Sequence, residues 1–180
     1  FQRGPGWYEQ HFAGAAGRRI GEKTPSYSYR PQAAERIHAV LPHAKLIWIL
    51  REPVSRAYSH YLHSVSRGHE LLDFETAVRR EPERLSRDGD RGYMHRGRYL
   101  EPAKRFLRFF PREQMLFLLF EDFLRDEQSV LNDLSGFLEI APFRVAFNGR
   151  EAKRENVARI PRSRTVEWMA KRIFGNHRRL

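Results

Sequence analysis

Two short apolar runs stand out from an otherwise mixed chain: KLIWIL at 45–50, apolar after its Lys45, and MLFLLF at 115–120. Six residues is too short for a buried helix. A run without alternation predicts a strand covered on both faces, as in a parallel sheet. Around these runs the apolar positions recur at helical spacing. Pro31 opens a predicted helix that reaches Val40 and stops at Leu41-Pro42. Pro53 starts a helix over 53–67, which Gly68 closes. Asp73 is the expected N-cap of a helix over 74–86, and Gly89 and Gly92 mark a polar loop. A further helix is expected over 98–109. Asp122 to Leu138 reads as one amphipathic helix, with Phe123, Val130, Leu131, Leu134, Phe137 and Leu138 on its apolar side. Residues 1–19 are glycine-rich around an aromatic knot of Trp7, Tyr8 and Phe12, while 144–164 form a basic loop before a short helix at 165–174. Strands alternating with helices predict an α/β domain with a parallel sheet, and a third strand is expected near Arg19-Ile20. Trp48, Phe106, Phe109, Phe110, Phe117 and Phe120 are the expected core.

Composition narrows the class. At 180 residues, 41% hydrophobic and 13% aromatic, the chain is one globular domain's worth rather than a disordered tail. No apolar run approaches the ~20 residues of a spanning helix. Lys and Arg number 33 against 22 Asp and Glu, a net charge of +11. That excess points to an anionic partner: nucleic acid, an acidic polysaccharide or a phosphorylated ligand. The absence of cysteine removes disulfides, thiolate metal sites and Cys nucleophiles. The eight histidines form no metal constellation; His60 and His63 lie three apart on a helix, with no clustered carboxylate, and read as surface or packing residues. Asp73, Glu75, Glu121 and Asp122 read as capping or solvated positions. The lack of Cys fits a reducing compartment, and the lack of Asn-x-Ser/Thr acceptors leans away from a glycosylated secretory protein. The chain begins at Phe1 rather than Met, which leads to the expectation that an N-terminal part has been removed.

Three stretches carry candidate chemistry. In LIWILREPVSRAYSHY (46–61), Arg51 falls at the carboxyl end of a predicted strand, where open α/β sheets place their ligands. The next helix would turn its free N–H groups toward the same crevice, a ready anion site. Ser55 and Ser59 are i,i+4 neighbours on that helix. An Arg fork with a Ser hydroxyl suits a phosphate monoester. The plain alternative is that Arg51 pairs with Glu52 or Glu22 and the serines are solvated. In GEKTPSY (21–27), Lys23, Thr24 and Ser26 put an ammonium and two hydroxyls on one loop, and Glu22 could orient Lys23 or act as a base. Equally, Thr24 and Ser26 are turn residues around Pro25. GRRIGEKT is not a Walker A loop, because Glu22 stands where Gly must precede the Lys. Finally, Arg144, Arg150, Lys153, Arg154, Arg159, Arg162 and Arg164 face only Glu151 and Glu155 in their segment. That balance exceeds an ordinary solvated face and suits a lid or groove wall for polyanions.

Four pieces in order, GPGWYEQHF (4–12), EKTPSY (22–27), KLIWILREPVSRAYSHY (45–61) and GRYLEPAKRFLRFFPREQMLFLLFEDFLRD (97–126), resemble the sulfotransferases that use 3′-phosphoadenosine 5′-phosphosulfate (PAPS). The resemblance is nearest to the heparan sulfate glucosaminyl group and its bacterial relatives, and runs to about residue 140. It implies a P-loop-NTPase-like three-layer α/β/α fold with a parallel sheet, a single domain over 1–180 that lacks its first β-loop-α unit. It implies transfer of a sulfuryl group from PAPS to a hydroxyl or amino group of a glycan or small molecule, leaving adenosine 3′,5′-bisphosphate, without a metal. Carried over by position, Arg51 and Ser59 would hold the 3′-phosphate and Tyr99 would lie near the adenosine. Lys23 would face the transferring group or an anionic acceptor. Glu22, Thr24 and Pro25 would belong to the acceptor cleft, and Arg162 and Arg164 would reach nucleotide phosphates. The family's phosphosulfate loop and its base would lie upstream of this chain. The resemblance implies either a bacterial cytoplasmic setting or the Golgi lumen, and the lack of Cys and of Asn-x-Ser/Thr acceptors favours the first. Two other classes compete. A nucleic-acid-binding domain would suit the basic charge, but no helix-turn-helix, RRM or OB pattern is recognisable. A P-loop nucleotide kinase is disfavoured by the failed Walker A spacing.

Overall fold

The computed structural model describes residues 4–15, 17–88 and 92–143, with backbone alone at 5 and 86–88. Along the chain run α1 (Gly4–Glu9), α2 (Ala33–Val40), β1 (Leu46–Leu50), α3 (Pro53–Ser66), α4 (Phe74–Arg79) and α5 (Glu81–Asp88). They are followed by α6 (Leu100–Leu107), β2 (Met115–Leu119), α7 (Phe120–Arg125) and α8 (Glu127–Leu138). Short 3₁₀ segments occupy Gln10–Ala15, Pro25–Ser28, His95–Gly97 and Arg112–Gln114. β1 and β2 pair in an open parallel sheet. The basic segment 144–164, the helix expected at 165–174, and the calls on Arg162 and Arg164 lie outside the described residues, as does Gly89.

The residues divide into two compact units. The first comprises the described residues up to Leu46 together with Leu100–Met115. Here α2 and α6 supply small and aromatic faces: Ala33 and Ala34 are buried, as are Phe106, Phe110 and Met115. His38 of α2 meets the Phe110 ring edge-on at 5.3 Å. Gln114 donates to the Pro42 carbonyl at 3.1 Å, tying the turn before β2 to the turn after α2. Arg19-Ile20 is coil, not a third strand.

The second unit comprises Ile47–Tyr99 and the described residues from Leu116 on. Its core is built by α3, whose residues Ala57, Tyr61 and Val65 recur every four positions and are all buried. With Ala77 and Tyr93 they form a cluster flanked by Leu62, Leu72, Phe74, Val78 and Met94. Burial of each large apolar side chain here contributes about 1.5–3 kcal/mol. α3 ends in a Schellman motif: Gly68 sits at φ 67°, its N–H bonds the Val65 carbonyl, and the His69 N–H bonds that of Ser64. Only glycine adopts that backbone without strain.

Two helices predicted as continuous are broken. The 74–86 helix starts as expected, with Asp73 accepting from the Thr76 N–H at 2.8 Å, but it stops at Arg79. Pro82 is the cause: it has no N–H for the Val78 carbonyl and its ring crowds that turn. The chain restarts as α5 with Glu81 first. The 122–138 helix breaks at Asp126 (φ −149°), whose side chain caps α8 by accepting from the Ser129 N–H. The expectation that β1 is covered on both faces also fails. Leu46, Trp48 and Leu50 are half-buried, but Ile47 and Ile49 are 41% and 58% exposed, so only one face is covered among the described residues. Of the expected aromatic core, Phe106 and Phe110 are buried, whereas Trp48, Phe109, Phe117 and Phe120 are half-buried.

Candidate functional site

β1 ends at Leu50, so Arg51 begins the turn at the carboxyl edge of the sheet. Its side chain is half-buried, and the guanidinium carbon lies 5.2 Å from the centre of the Phe120 ring. Such a cation–π contact holds a planar fork in place without consuming its N–H donors. The Arg51 carbonyl accepts from the Tyr99 hydroxyl at 2.9 Å. Arg51 and Tyr99, 48 residues apart, are therefore brought together, but Tyr99 meets the backbone of Arg51. Ser59 lies in the second turn of α3, exposed, on the helix that leaves this turn.

The start of α3 differs from expectation. Its first N–H groups are not free: Glu52 folds back, and its carboxylate accepts from Val54 N–H at 2.8 Å and Ser55 N–H at 2.6 Å. These two backbone bonds hold the Glu52 carboxyl below its usual range. A second carboxylate, Glu121 at the start of α7, accepts from the Glu52 N–H at 3.0 Å. The helix terminus thus carries its own acceptors. An anion at this turn must be held by the Arg51 fork and hydroxyls rather than by helix N–H groups. Glu121, read from sequence as a capping or solvated position, caps no N–H of its own helix; it reaches 69 residues back. The signal for Glu52 is a carboxylate directly before a proline at N1, which can reach the next two N–H groups; from sequence alone it reads only as a partner for Arg51.

The same unit holds a polar cluster that no sequence signal marked. Glu70 is 3% exposed. It accepts from Leu71 and Leu72 N–H, from the Tyr93 hydroxyl at 3.0 Å and, through both oxygens, from Arg84. Burial pushes its carboxyl up, but Arg84, Leu72 N–H and Tyr93 outweigh that and hold it below the usual range. Tyr93 is pushed up to about 12, chiefly by burial, with Ser64 partly offsetting and Glu70 adding. His60, beside Tyr93 with ring centres 5.0 Å apart, is lowered to about 4 by burial and by Arg96, Arg56 and His63. Its Nδ1 is buried with no hydrogen-bond partner. It packs edge-on against the Tyr93 ring. Among the described residues no group of His, Asp and Glu is arranged to hold a metal ion.

The second stretch lies in the other unit. Glu22, Lys23 and Pro25 are exposed and Thr24 is half-buried. Thr24 is the N-cap of the 3₁₀ turn Pro25–Ser28, without a side-chain cap bond. Its carbonyl accepts from Tyr27 N–H at 3.1 Å, and Ser28 donates to the Pro25 carbonyl at 3.2 Å. Pro25 thus builds a local turn, and Lys23 projects beside it. Tyr8 and Tyr27 both have raised phenol pKa values, through burial first and then Glu22. Glu22 is therefore engaged with two phenols, Tyr8 from the first of the four matched pieces and Tyr27 from its own.

The parallel sheet, the arginine at its carboxyl edge and the helix that follows define a P-loop-like α/β protein. Residues 6–144 match the Sulfotransferase family, and the chain belongs to it. It is 32% identical over 139 residues to mouse (Mus musculus) heparan sulfate glucosamine 3-O-sulfotransferase 3B1, covering 77% of this chain and 36% of that protein. It is also 32% identical over 127 residues to the bifunctional heparan sulfate N-deacetylase/N-sulfotransferase of Drosophila melanogaster, covering 67% of this chain and 12% of that protein. In structure it is similar to a sulfotransferase from Alicyclobacillus acidocaldarius, with TM-score 0.72 and 35% identity, covering 77% of this chain and 57% of the other. The chain therefore spans about a third or less of these two curated relatives. Among the described residues no helix is long and apolar enough to cross a membrane.

Proposed function

We propose that this chain forms the 3′-phosphate-binding part of a PAPS-dependent sulfotransferase whose acceptor is a hydroxyl or amino group of a glycan or small molecule. The observation that carries the reading is the Arg51 turn. Its half-buried guanidinium is held over Phe120, and its carbonyl is held by Tyr99. A planar fork fixed in direction suits the paired oxygens of a phosphate monoester, and the exposed Ser59 hydroxyl on α3 adds a further donor. With Glu52 occupying the helix N–H groups, the 3′-phosphate depends on these side chains.

Bound at such a site, PAPS supplies an activated sulfuryl group for an oxygen or nitrogen nucleophile. The chain's own residues act around that chemistry. Arg51 and Ser59 bind the phosphate that distinguishes this nucleotide from 5′-AMP, and the Tyr99 ring borders the adenosine. Lys23 is exposed and presents a mobile point charge, suited to an anionic acceptor or to charge developing on the transferring group. Thr24 and Pro25 shape the approach to Lys23. An excess of eleven positive charges favours a polyanionic glycan as acceptor through long-range attraction, which agrees with the heparan sulfate named for the curated relatives.

The test is a calorimetric titration with adenosine 3′,5′-bisphosphate, with 5′-AMP as the control. At least tenfold tighter binding of the bisphosphate, about 1.4 kcal/mol, supports a 3′-phosphate pocket. Preference for ATP with Mg²⁺ would replace the reading by a nucleotide kinase. Binding of DNA or RNA that weakens steeply with salt would replace it by a nucleic-acid-binding domain.

A further inference from the structure

Segment Gly92–Tyr99 is held from three other elements of its unit. Tyr93 is buried, with its carbonyl accepting from Arg56 of α3 and its hydroxyl donating to Glu70. Glu81, only 6% exposed at the first position of α5, accepts from Met94 N–H at 2.7 Å and His95 N–H at 2.6 Å, one in each carboxylate oxygen. Those N–H groups open the turn His95–Gly97. Gly97 lies against Pro53, the first residue of α3: a Cβ there would meet the Pro53 Cβ at 3.1 Å. Two residues later Tyr99 donates to the Arg51 carbonyl. A continuous line of bonds and contacts thus runs from the buried Glu81 carboxylate to both ends of the turn 51–53. A carboxylate withdrawn from water is costly unless donors replace the solvent, and here both oxygens are committed to this one turn.

We propose that Glu81 is a positioning residue for the anion site: by holding the 94–97 turn it fixes the Gly97–Pro53 contact and the Tyr99–Arg51 bond, and so sets the direction in which the Arg51 guanidinium leaves β1. The inference rests on the reading of Arg51 and Ser59 as the 3′-phosphate site. A forked donor loses its advantage when displaced by fractions of an ångström, and at this turn the helix N–H groups are already taken by Glu52.

The experiment titrates wild type, Glu81→Gln, Gly97→Ala, Tyr99→Phe and Arg51→Ala with adenosine 3′,5′-bisphosphate and with 5′-AMP, with thermal melting alongside. In Glu81→Gln an amide NH₂ faces one of the two backbone N–H groups. The bisphosphate should then bind roughly tenfold more weakly while 5′-AMP is unchanged, so the ratio of the two affinities falls. Gly97→Ala should do the same through Pro53 with Glu81 intact, and Tyr99→Phe, which removes one hydroxyl, should shift the ratio in the same direction by less. A merely structural role would lower the melting temperature and leave the ratio alone. An unchanged ratio in the folded variants overturns the inference, and if Glu81→Gln does not fold, Gly97→Ala and Tyr99→Phe decide. A wild type without preference for the bisphosphate, or an Arg51→Ala variant that keeps it, overturns the site itself. The two failures are thus told apart.

Discussion

The Arg51 turn and the Lys23 loop are both short, polar and next to prolines, yet they are built on opposite plans. The Arg51 turn is fastened by residues distant in sequence: Tyr99 on its carbonyl, Phe120 under its guanidinium and Glu121 on the Glu52 N–H. The Lys23 loop closes mainly on near neighbours, through Thr24–Tyr27 and Pro25–Ser28 bonds. A fixed fork can discriminate one phosphate by geometry. An exposed ammonium beside a local turn acts as a charge and tolerates varied acceptors. Under the proposed function, selectivity for the nucleotide would belong to the first plan and adaptability toward the acceptor to the second.

The sharpest way to break this contrast is Arg51→Ala. It should weaken bisphosphate binding by about 100-fold, nearly 3 kcal/mol, without loss of fold, because the side chain stands at a strand end and not in the cluster around Tyr61. Calorimetry with a melting curve checks both parts. If the loss is only severalfold, the site is not fixed by this fork.

On fold stability rather than binding, the test is Glu70→Ala, which strips Arg84, the Tyr93 hydroxyl and the Leu71 and Leu72 N–H groups of their acceptor. Removing one partner of a buried pair costs about 3–5 kcal/mol, and denaturant unfolding should register it. Because the Glu70 carboxyl is held below its ordinary value, its contribution is present at neutral pH and fades as pH falls through the lowered value.

His60 gives a pH test of the same region. Its value in the folded chain is about 4 against an ordinary 6.5, so between these limits the unfolded chain binds more protons. Stability must therefore fall as pH drops from 6.5 toward 4. His60→Phe, which keeps a ring against Tyr93, should flatten the melting temperature over that window. An unaltered slope would place the acid sensitivity elsewhere. The smallest effect belongs to the Lys23 loop. Lys23→Ala should change bisphosphate affinity less than twofold while lowering turnover in a catalytically competent form of the protein. Equal losses in both would move Lys23 into the nucleotide pocket and erase the contrast.

Much of the local architecture was legible because its causes are local. Six-residue apolar runs became the strands, Asp73 capped its helix, and Gly68 ended α3 in a left-handed conformation. These follow from side-chain chemistry within a few residues. Arg51 could be singled out for the same reason, since a basic residue directly after a buried strand is a pattern in the chain. Tertiary structure decided what faces what. The break at Arg80 released Glu81 to the 94–97 turn, and Ile47 and Ile49 remained exposed on a strand whose apolar run implied cover on both faces. The helix N–H groups read as an open anion cradle were taken by Glu52. Glu70, Arg84 and Tyr93 met across up to 23 residues. A charged residue's spacing does not say whether water or a distant donor will satisfy it. That choice is made by the packing that removes the water, and it is written in no single stretch of sequence.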